Sequence, residues 1–264
     1  MSDASTQMRA RVFLVTGGTQ GVGEAIALAL AQAGAAGVAV SGRNEARGRA
    51  VVSALEALGA RGLFVPGDLA DPDSCSEIVA ACDAAFGRID GLVNAAAEST
   101  RGTLDSTTLE LWDRLFAVNV RAPFLLSQAV VRVMRREGNG GTIVNVLSMS
   151  AHGGQSFLTA YAASKGALAT LTRNLAHALR NERVRVNGIY LGWTATPAED
   201  VVQQANGAPI DWLAIADGRQ PFGRLIRPRD VANLAVFLAS DAAEMMTGAL
   251  VDLDQNVAGA YFDP

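Results

Sequence analysis

Seven consecutive residues constrain this chain more than any others. Gly17-Gly18-Thr19-Gln20-Gly21-Val22-Gly23 carry four glycines and separate two runs of opposite character. Residues 11–16 form a short apolar run suited to a strand. Residues 24–33 repeat their apolar positions near the helical period and stop at Gly34, and a second strand-like run follows at 36–41. The pattern is a strand–helix–strand unit with a glycine-rich turn between its first two elements. Glycine lets backbone approach a ligand closely. The start of the helix presents unpaired N–H groups and a partial positive charge, so the turn is a phosphate site.

The same alternation continues down the chain. Residues 51–58 read as a helix and 62–66 as a strand closed by 67–69. A helix follows at 72–86, ending at Gly87, and a strand at 89–93. Residues 109–134 form a long helical stretch with an expected interruption at Pro123. Residues 141–147 are a strongly apolar strand, 160–171 a small-residue helix, and 184–189 a strand. Residues 198–218 look less regular, 228–240 helical, and 247–253 a last strand. Strands alternating with helices predict an α/β fold. The expectation is a single doubly wound Rossmann-type domain over 1–264 with a parallel, seven-stranded sheet and a substrate-lid segment around 195–222. The apolar tail Gly259-Ala260-Tyr261-Phe262 is expected to dock on a neighbouring subunit.

Charge excludes several alternatives. The net charge is −4 and arginines are scattered rather than clustered, so nucleic acid is not an expected partner. No apolar run approaches the ~20 residues of a membrane helix, and the polar start of the chain lacks a signal-type apolar core. A cytoplasmic protein is expected. Cys75 and Cys82 fall seven apart in one helix, about 10 Å at helical rise, too far for a disulfide. They read as small core residues. His152 and His177 form no ligand cluster with them, and no metal is expected. His177 is expected on a helix packing face.

Tyr161 and Lys165 stand four apart within the helix at 160–171, and therefore on one face. Lys165 is the only lysine among 22 basic residues. A cation beside a phenol favours the phenolate, which would lower the Tyr161 pKa, and unlike arginine a lysine can exchange its proton. The pair is a candidate acid/base unit.

Thr16-Gly17-x-x-x-Gly21-x-Gly23, Asn94-Ala95-Ala96-Ala97, Asn119, Ser148, Tyr161 and Lys165 together resemble the short-chain dehydrogenase/reductase family, from about residue 9 to residue 254. The resemblance implies a catalytic set of Asn119, Ser148, Tyr161 and Lys165. Ser148 lies thirteen residues before Tyr161, the family's separation, and is preferred to Ser150. Asn119 would bulge its helix and hold a water linking Lys165 to solvent. The family's dinucleotide site maps onto Gly17, Thr19, Gln20, Gly21, Val22 and Gly23 in the turn, then onto Asp68 and Leu69 beside the adenine. It continues through Asn94, Tyr161, Lys165, Gly192, Thr194 and Thr196. Where NAD enzymes place an acid, this chain has Ser41-Gly42-Arg43-Asn44, with Arg47 beyond. A guanidinium suits a 2′-phosphate, so NADP is expected, with NAD possible. The chain departs from the family pattern at Ala97, Leu147, Leu191 and Asn256. Ala97 replaces a usual glycine, which costs little unless its φ is positive.

The implied activity is hydride transfer between nicotinamide and a carbonyl or secondary alcohol, Tyr161 exchanging the proton. An alternative is an NAD-dependent alcohol, sugar or polyol dehydrogenase with the same four residues, which loss of Arg43 would distinguish. A second alternative is a dinucleotide-binding sensor without catalysis, which turnover would distinguish. Candidate substrate residues are Ser150, His152, Gln155, Tyr190, Trp193 and Trp212. A Ser-His-Asp hydrolase is not supported, because the G-x-S-x-G elbow is absent. The expected partner is a small molecule, and a homo-oligomer, tetramer or dimer, is expected.

Overall fold

The computed structural model describes residues 8–258. Its seven strands are β1 (Val12–Thr16), β2 (Gly37–Gly42), β3 (Arg61–Pro66), β4 (Gly91–Asn94), β5 (Gly141–Val146), β6 (Val184–Leu191) and β7 (Leu250–Leu253). They form one sheet in the order β3-β2-β1-β4-β5-β6-β7, all parallel. The chain begins at β1, winds outward to β3, then returns to the other side of β1 with β4. That reversal opens a crevice at the carboxyl ends of β1 and β4, where open sheets bind ligands. Register aligns Thr16 with Asn94 and Asn94 with Asn145 along this edge.

Strands buried on both faces explain the unbroken apolar runs. Every residue of β1 and β4 is buried. On one face α1 (Gly21–Gln32), α2 (Glu45–Ala57) and α9 (Pro228–Ala239) pack Ile26, Leu30, Leu55, Val231 and Leu238 against the sheet. On the other, α3 (Pro72–Phe86), α5 (Ala122–Glu137) and α6 (Thr159–Leu179) contribute Ile78, Leu126, Val130 and Leu179. Cys75 and Cys82 sit in that second core as free, buried thiols.

Several boundaries differ from the sequence expectation. The first helix starts at Gly21 rather than residue 24, so the later glycines of the turn form its first turn. The second helix starts at Glu45, six residues early, because the Asn44 side chain caps it by accepting from Arg47 N. Between α4 (Leu109–Phe116) and α5 lies a π-helical segment, Ala117–Arg121. The interruption expected at Pro123 is this segment, centred on Asn119. Pro123 instead falls at the second residue of α5, directly after this segment, where it has no N–H to donate back along the helix. The helix carrying Tyr161 runs on to Leu179. The stretch expected to be irregular contains two helices, α7 (Pro197–Ala205) and α8 (Trp212–Gly218). His177 is exposed on α6 rather than packed. The expectation for the tail at 259–262 lies outside the described residues.

Candidate active site

One cleft of about 1240 Å³ follows the carboxyl edge of the sheet. The glycine turn forms its floor. Gly17 has φ +64°, and a Cβ there would stand 2.7 Å from Ala96 Cα. A Cβ on Gly23 would stand 2.3 Å from the Gly17 carbonyl oxygen, so helix and turn pack backbone to backbone. Gln20 caps α1 with no side-chain hydrogen bond. The first N–H groups of the helix are therefore open toward the cleft, and Thr19, Gly21 and Val22 line it beside them. Thr16 Oγ1 accepts from Ala96 N at 3.3 Å, fixing the turn to the loop after β4. This cradle and its free donors fit a dinucleotide pyrophosphate.

The remaining expected cofactor residues distribute unevenly. Arg43, Asp68, Leu69, Gly192, Thr194 and Thr196 all line the cleft, and a Cβ on Gly21 would lie 3.6 Å from Thr196 Cβ. A Cβ on Gly192 would stand 2.6 Å from the Asp254 carboxyl carbon, which accounts for the glycine. Arg43 is exposed. Arg47 instead spans back to the Gln20 side-chain oxygen. Asn94 does not line the cleft. Its Nδ2 donates to Asn145 Oδ1 at 2.8 Å beneath the floor, and Asn145 donates in turn to Thr172 Oγ1 at 2.9 Å. Ala97 has no positive φ, so the alanine fits the backbone without strain.

Tyr161, Ser148 and Lys165 meet in the lining of the cleft. Helix α6 carries the first and last, and the end of β5 carries Ser148. Lys165 is 2% exposed. Its Nζ donates to Val146 O at 2.8 Å and lies 5.8 Å from the centre of the Tyr161 ring. Burial without an anionic partner pushes the ammonium down to about 8. The same cause raises the Tyr161 phenol, partly offset by the Ser148 hydroxyl and reinforced by the nearby Glu199 carboxylate. This corrects the expectation of a phenol lowered by Lys165: burial outweighs the cation in the protein alone. Ser148 Oγ accepts from Ser150 N at 3.1 Å, which leaves its proton to donate. The Ser150 hydroxyl is spent on Gln155 Oε1 at 2.5 Å.

Asn119 is fully buried and lies outside the cleft wall. Its side chain is consumed by protein groups: Oδ1 accepts from Glu98 N, and Nδ2 donates to Glu98 O and to Ser164 Oγ.

The expected substrate residues divide. Ser150, Gln155 and Trp193 line the cleft. His152 and Tyr190 do not. They pack against each other, ring centres 4.5 Å apart and tilted by 47°, with His152 Nε2 4.0 Å from Asp252 Oδ1. Trp212 is buried under α7, donating to Asp200 Oδ1 at 2.7 Å and stacking on Trp193. The sequence reading missed Glu98, Arg101, Arg114, Phe157, Glu199 and Gln203, all of which line the cleft. Only Glu98 carried a signal, standing directly after the Asn94-Ala95-Ala96-Ala97 run.

The comparisons with known proteins agree with this architecture. The family model described as Enoyl-(Acyl carrier protein) reductase matches residues 17–255. The cis-4-hydroxycyclohexanecarboxylate dehydrogenase of Sinomonas cyclohexanicum is 36% identical over 245 residues, 92% of this chain and 95% of the relative. The chain belongs to the short-chain dehydrogenase/reductase family. The NADP-dependent (R)-specific alcohol dehydrogenase of Lentilactobacillus kefiri is 31% identical, covering 92% of this chain and 94% of that protein. A short-chain type dehydrogenase/reductase from Mycobacterium ulcerans superposes with a TM-score of 0.85 at 31% identity, covering 94% of this chain and 90% of the other. As a family member, the protein is an oxidoreductase acting on alcohol or carbonyl substrates and using a nicotinamide cofactor. Among the described residues, no helix is long and apolar enough to cross a membrane.

Proposed function

We propose that this protein is an NADP-dependent oxidoreductase that interconverts a carbonyl and a secondary alcohol with Tyr161 as acid and base. The observation that carries this reading is the meeting of Tyr161 and Ser148 beside a buried Lys165, which has no anionic partner, in the lining of the cleft. The turn from Gly17 to Gly23 holds the pyrophosphate, and Arg43 holds the 2′-phosphate. Thr194 and Thr196 face the nicotinamide half. A bound nicotinamide supplies or accepts the hydride. In reduction, Tyr161 gives its proton to the substrate oxygen, and Ser148 donates a hydrogen bond to that oxygen as charge develops. A phenol raised by burial is protonated at neutral pH, ready for reduction. Lys165 supports the phenolate that remains. Asn119 acts as a positioning residue, since its side chain is committed to Glu98 and Ser164. The NADP preference also draws support from the Lentilactobacillus kefiri relative, named as NADP-dependent.

The helices α7 and α8 form the proposed lid, latched by Glu199, which accepts from Trp193 Nε1 at 2.8 Å and from Gln203 Nε2 at 2.6 Å. Trp112 and Phe124 are exposed on α4 and α5, which supports a homo-oligomer, dimer or tetramer.

The test combines calorimetric titration of NADPH and NADH with turnover of carbonyl substrates by wild type and Tyr161→Phe. The variant is expected to bind cofactor like wild type and to lose at least about a thousandfold in kcat. An unchanged kcat removes Tyr161 from the mechanism.

A further inference from the structure

We propose that Arg101 anchors a carboxylate on the substrate, so that the natural substrates are hydroxy- or oxo-carboxylates. This rests on the oxidoreductase reading above and extends it to substrate class. Arg101 lines the cleft and is half-buried. Its neighbour Gly102 pairs with the chain entering α6: Gly102 N donates to Phe157 O at 3.0 Å, and Thr159 N donates to Gly102 O at 3.1 Å. Arg101 is therefore tied to the segment that delivers Tyr161. The guanidinium lies 5.1 Å from the centre of the Phe157 ring, which orients it without neutralising it.

Its charge has no partner among the described residues, with no carboxylate within 4.0 Å. The acids that line the cleft are each held by other groups. Glu98 accepts from Thr100 Oγ1 at 2.6 Å and from Arg114 Nε at 3.4 Å. Arg114 also reaches Asp68 at 3.5 Å. Glu199 is held by Trp193 and Gln203. Asp254 accepts from Gln255 N at 2.6 Å. A half-buried guanidinium kept unpaired in the same cleft as Tyr161 and Ser148 presents a planar fork that matches a carboxylate. A phosphate would meet the same fork, but Glu98 and Glu199 also face this cleft and oppose a dianion more than a monoanion.

The experiment measures kcat/KM for 4-oxopentanoate and 4-oxocyclohexanecarboxylate, each against its methyl ester, on wild type, Arg101→Gln and Arg101→Lys. The acid-to-ester ratio is read on one preparation, so partial misfolding of a variant cancels. Wild type is expected to favour the acids by roughly tenfold to a hundredfold. Arg101→Gln should bring the ratio to about one, mainly through KM, and Arg101→Lys should fall between the two. A ratio that Arg101→Gln leaves intact overturns the proposal, as does a wild type that favours the esters or a phosphorylated ketone. Those results leave the oxidoreductase reading standing, because carbonyl turnover is then seen. Absence of turnover with every carbonyl and both cofactors overturns both.

Discussion

The Asn119 side chain holds the peptide of Glu98 from both ends. Its Oδ1 accepts from Glu98 N at 2.9 Å, and its Nδ2 donates to Glu98 O at 2.9 Å. The same Nδ2 reaches Ser164 Oγ at 3.0 Å, and Ser164 Oγ donates to Tyr161 O at 2.7 Å. One buried amide thus ties the loop after β4 to the helix of Tyr161 and Lys165. The π-helical turn at Ala117–Arg121 is the local irregularity that carries this side chain.

Asn119→Ala leaves Glu98 N and Glu98 O without their side-chain partner in a partly buried site, while Ser164 Oγ loses a donor but keeps its bond to Tyr161 O. A loss of about 2–4 kcal/mol is expected, since each buried unsatisfied group costs about 1–3 kcal/mol. Urea unfolding reads it. Asn119→Asp keeps the acceptor for Glu98 N but turns an oxygen toward Glu98 O, and should lose stability too. A loss under about 0.5 kcal/mol in both would mean the clamp holds nothing.

Two glycine substitutions should act in opposite directions. A Cβ at Gly23 meets the Gly17 carbonyl oxygen at 2.3 Å and its carbon at 2.7 Å, backbone that cannot step aside. Gly23→Ala is expected to lower the melting temperature and to weaken cofactor binding by at least about tenfold. On α6, a Cβ at Gly166 finds nothing nearer than Ala151 O at 3.8 Å. Gly166→Ala should therefore be neutral or stabilise by about 0.5–1 kcal/mol, from helix propensity. Calorimetric melting and nucleotide titration of the two variants make the comparison.

The contrast between α3 and the α4–α5 region explains what the sequence made legible. Residues 72–86 were read to their observed bounds because both ends are written in local chemistry. Asp71 caps the start, Pro72 opens it, and Gly87 takes the left-handed conformation at the end. At 109–134 the visible signal, Pro123, points just past the irregularity, because a π-turn has no composition of its own. The parallel seven-stranded sheet and the ligand crevice at its carboxyl edge followed from alternation and the glycine turn. The placement of His152 and Tyr190 did not follow, because which side of a strand end a loop falls on is set by packing. Arg101 was invisible for the same reason: its meaning lies in the absence of a partner.

Arg43 should decide between the two nicotinamide dinucleotides. It is exposed just after β2 beside the cleft, and Asp68, which feels its charge, is engaged by Arg114 at 3.5 Å. Arg43→Ala is expected to raise the Kd for NADPH by about tenfold to a hundredfold and that for NADH by less than about threefold. Equal losses would mean that Arg43 supports the loop rather than a 2′-phosphate. Titration in parallel at low and high salt adds a check, since a partly solvated ion pair weakens as salt rises.

Stability should change direction with pH on the alkaline side. Burial lowers Lys165 from 10.5 to about 8, so between those values the unfolded chain holds a proton that the folded protein has lost. Stability then rises with pH over this window, by up to roughly 1.4 kcal/mol per unit. The buried thiols act oppositely. Burial raises Cys75 from 9.0 to about 11 and Cys82 from 9.0 to about 12, so above 9.0 the unfolded chain ionises first and stability falls as pH rises. One lysine against two thiols gives a rise from about 8 to 9.0, then a decline through about 11 and 12. Chemical denaturation of wild type across this range reads the curve directly. In Lys165→Met the early rise should vanish while the decline remains. In Cys75→Ala/Cys82→Ala the rise should extend to about 10.0, where the unfolded Tyr161 and Tyr190 phenols, both raised by burial in the folded protein, begin to ionise. A lysine variant that keeps the early rise would mean that Lys165 is not desolvated in the folded protein, and the burial that sets the chemistry of the cleft would then need another account.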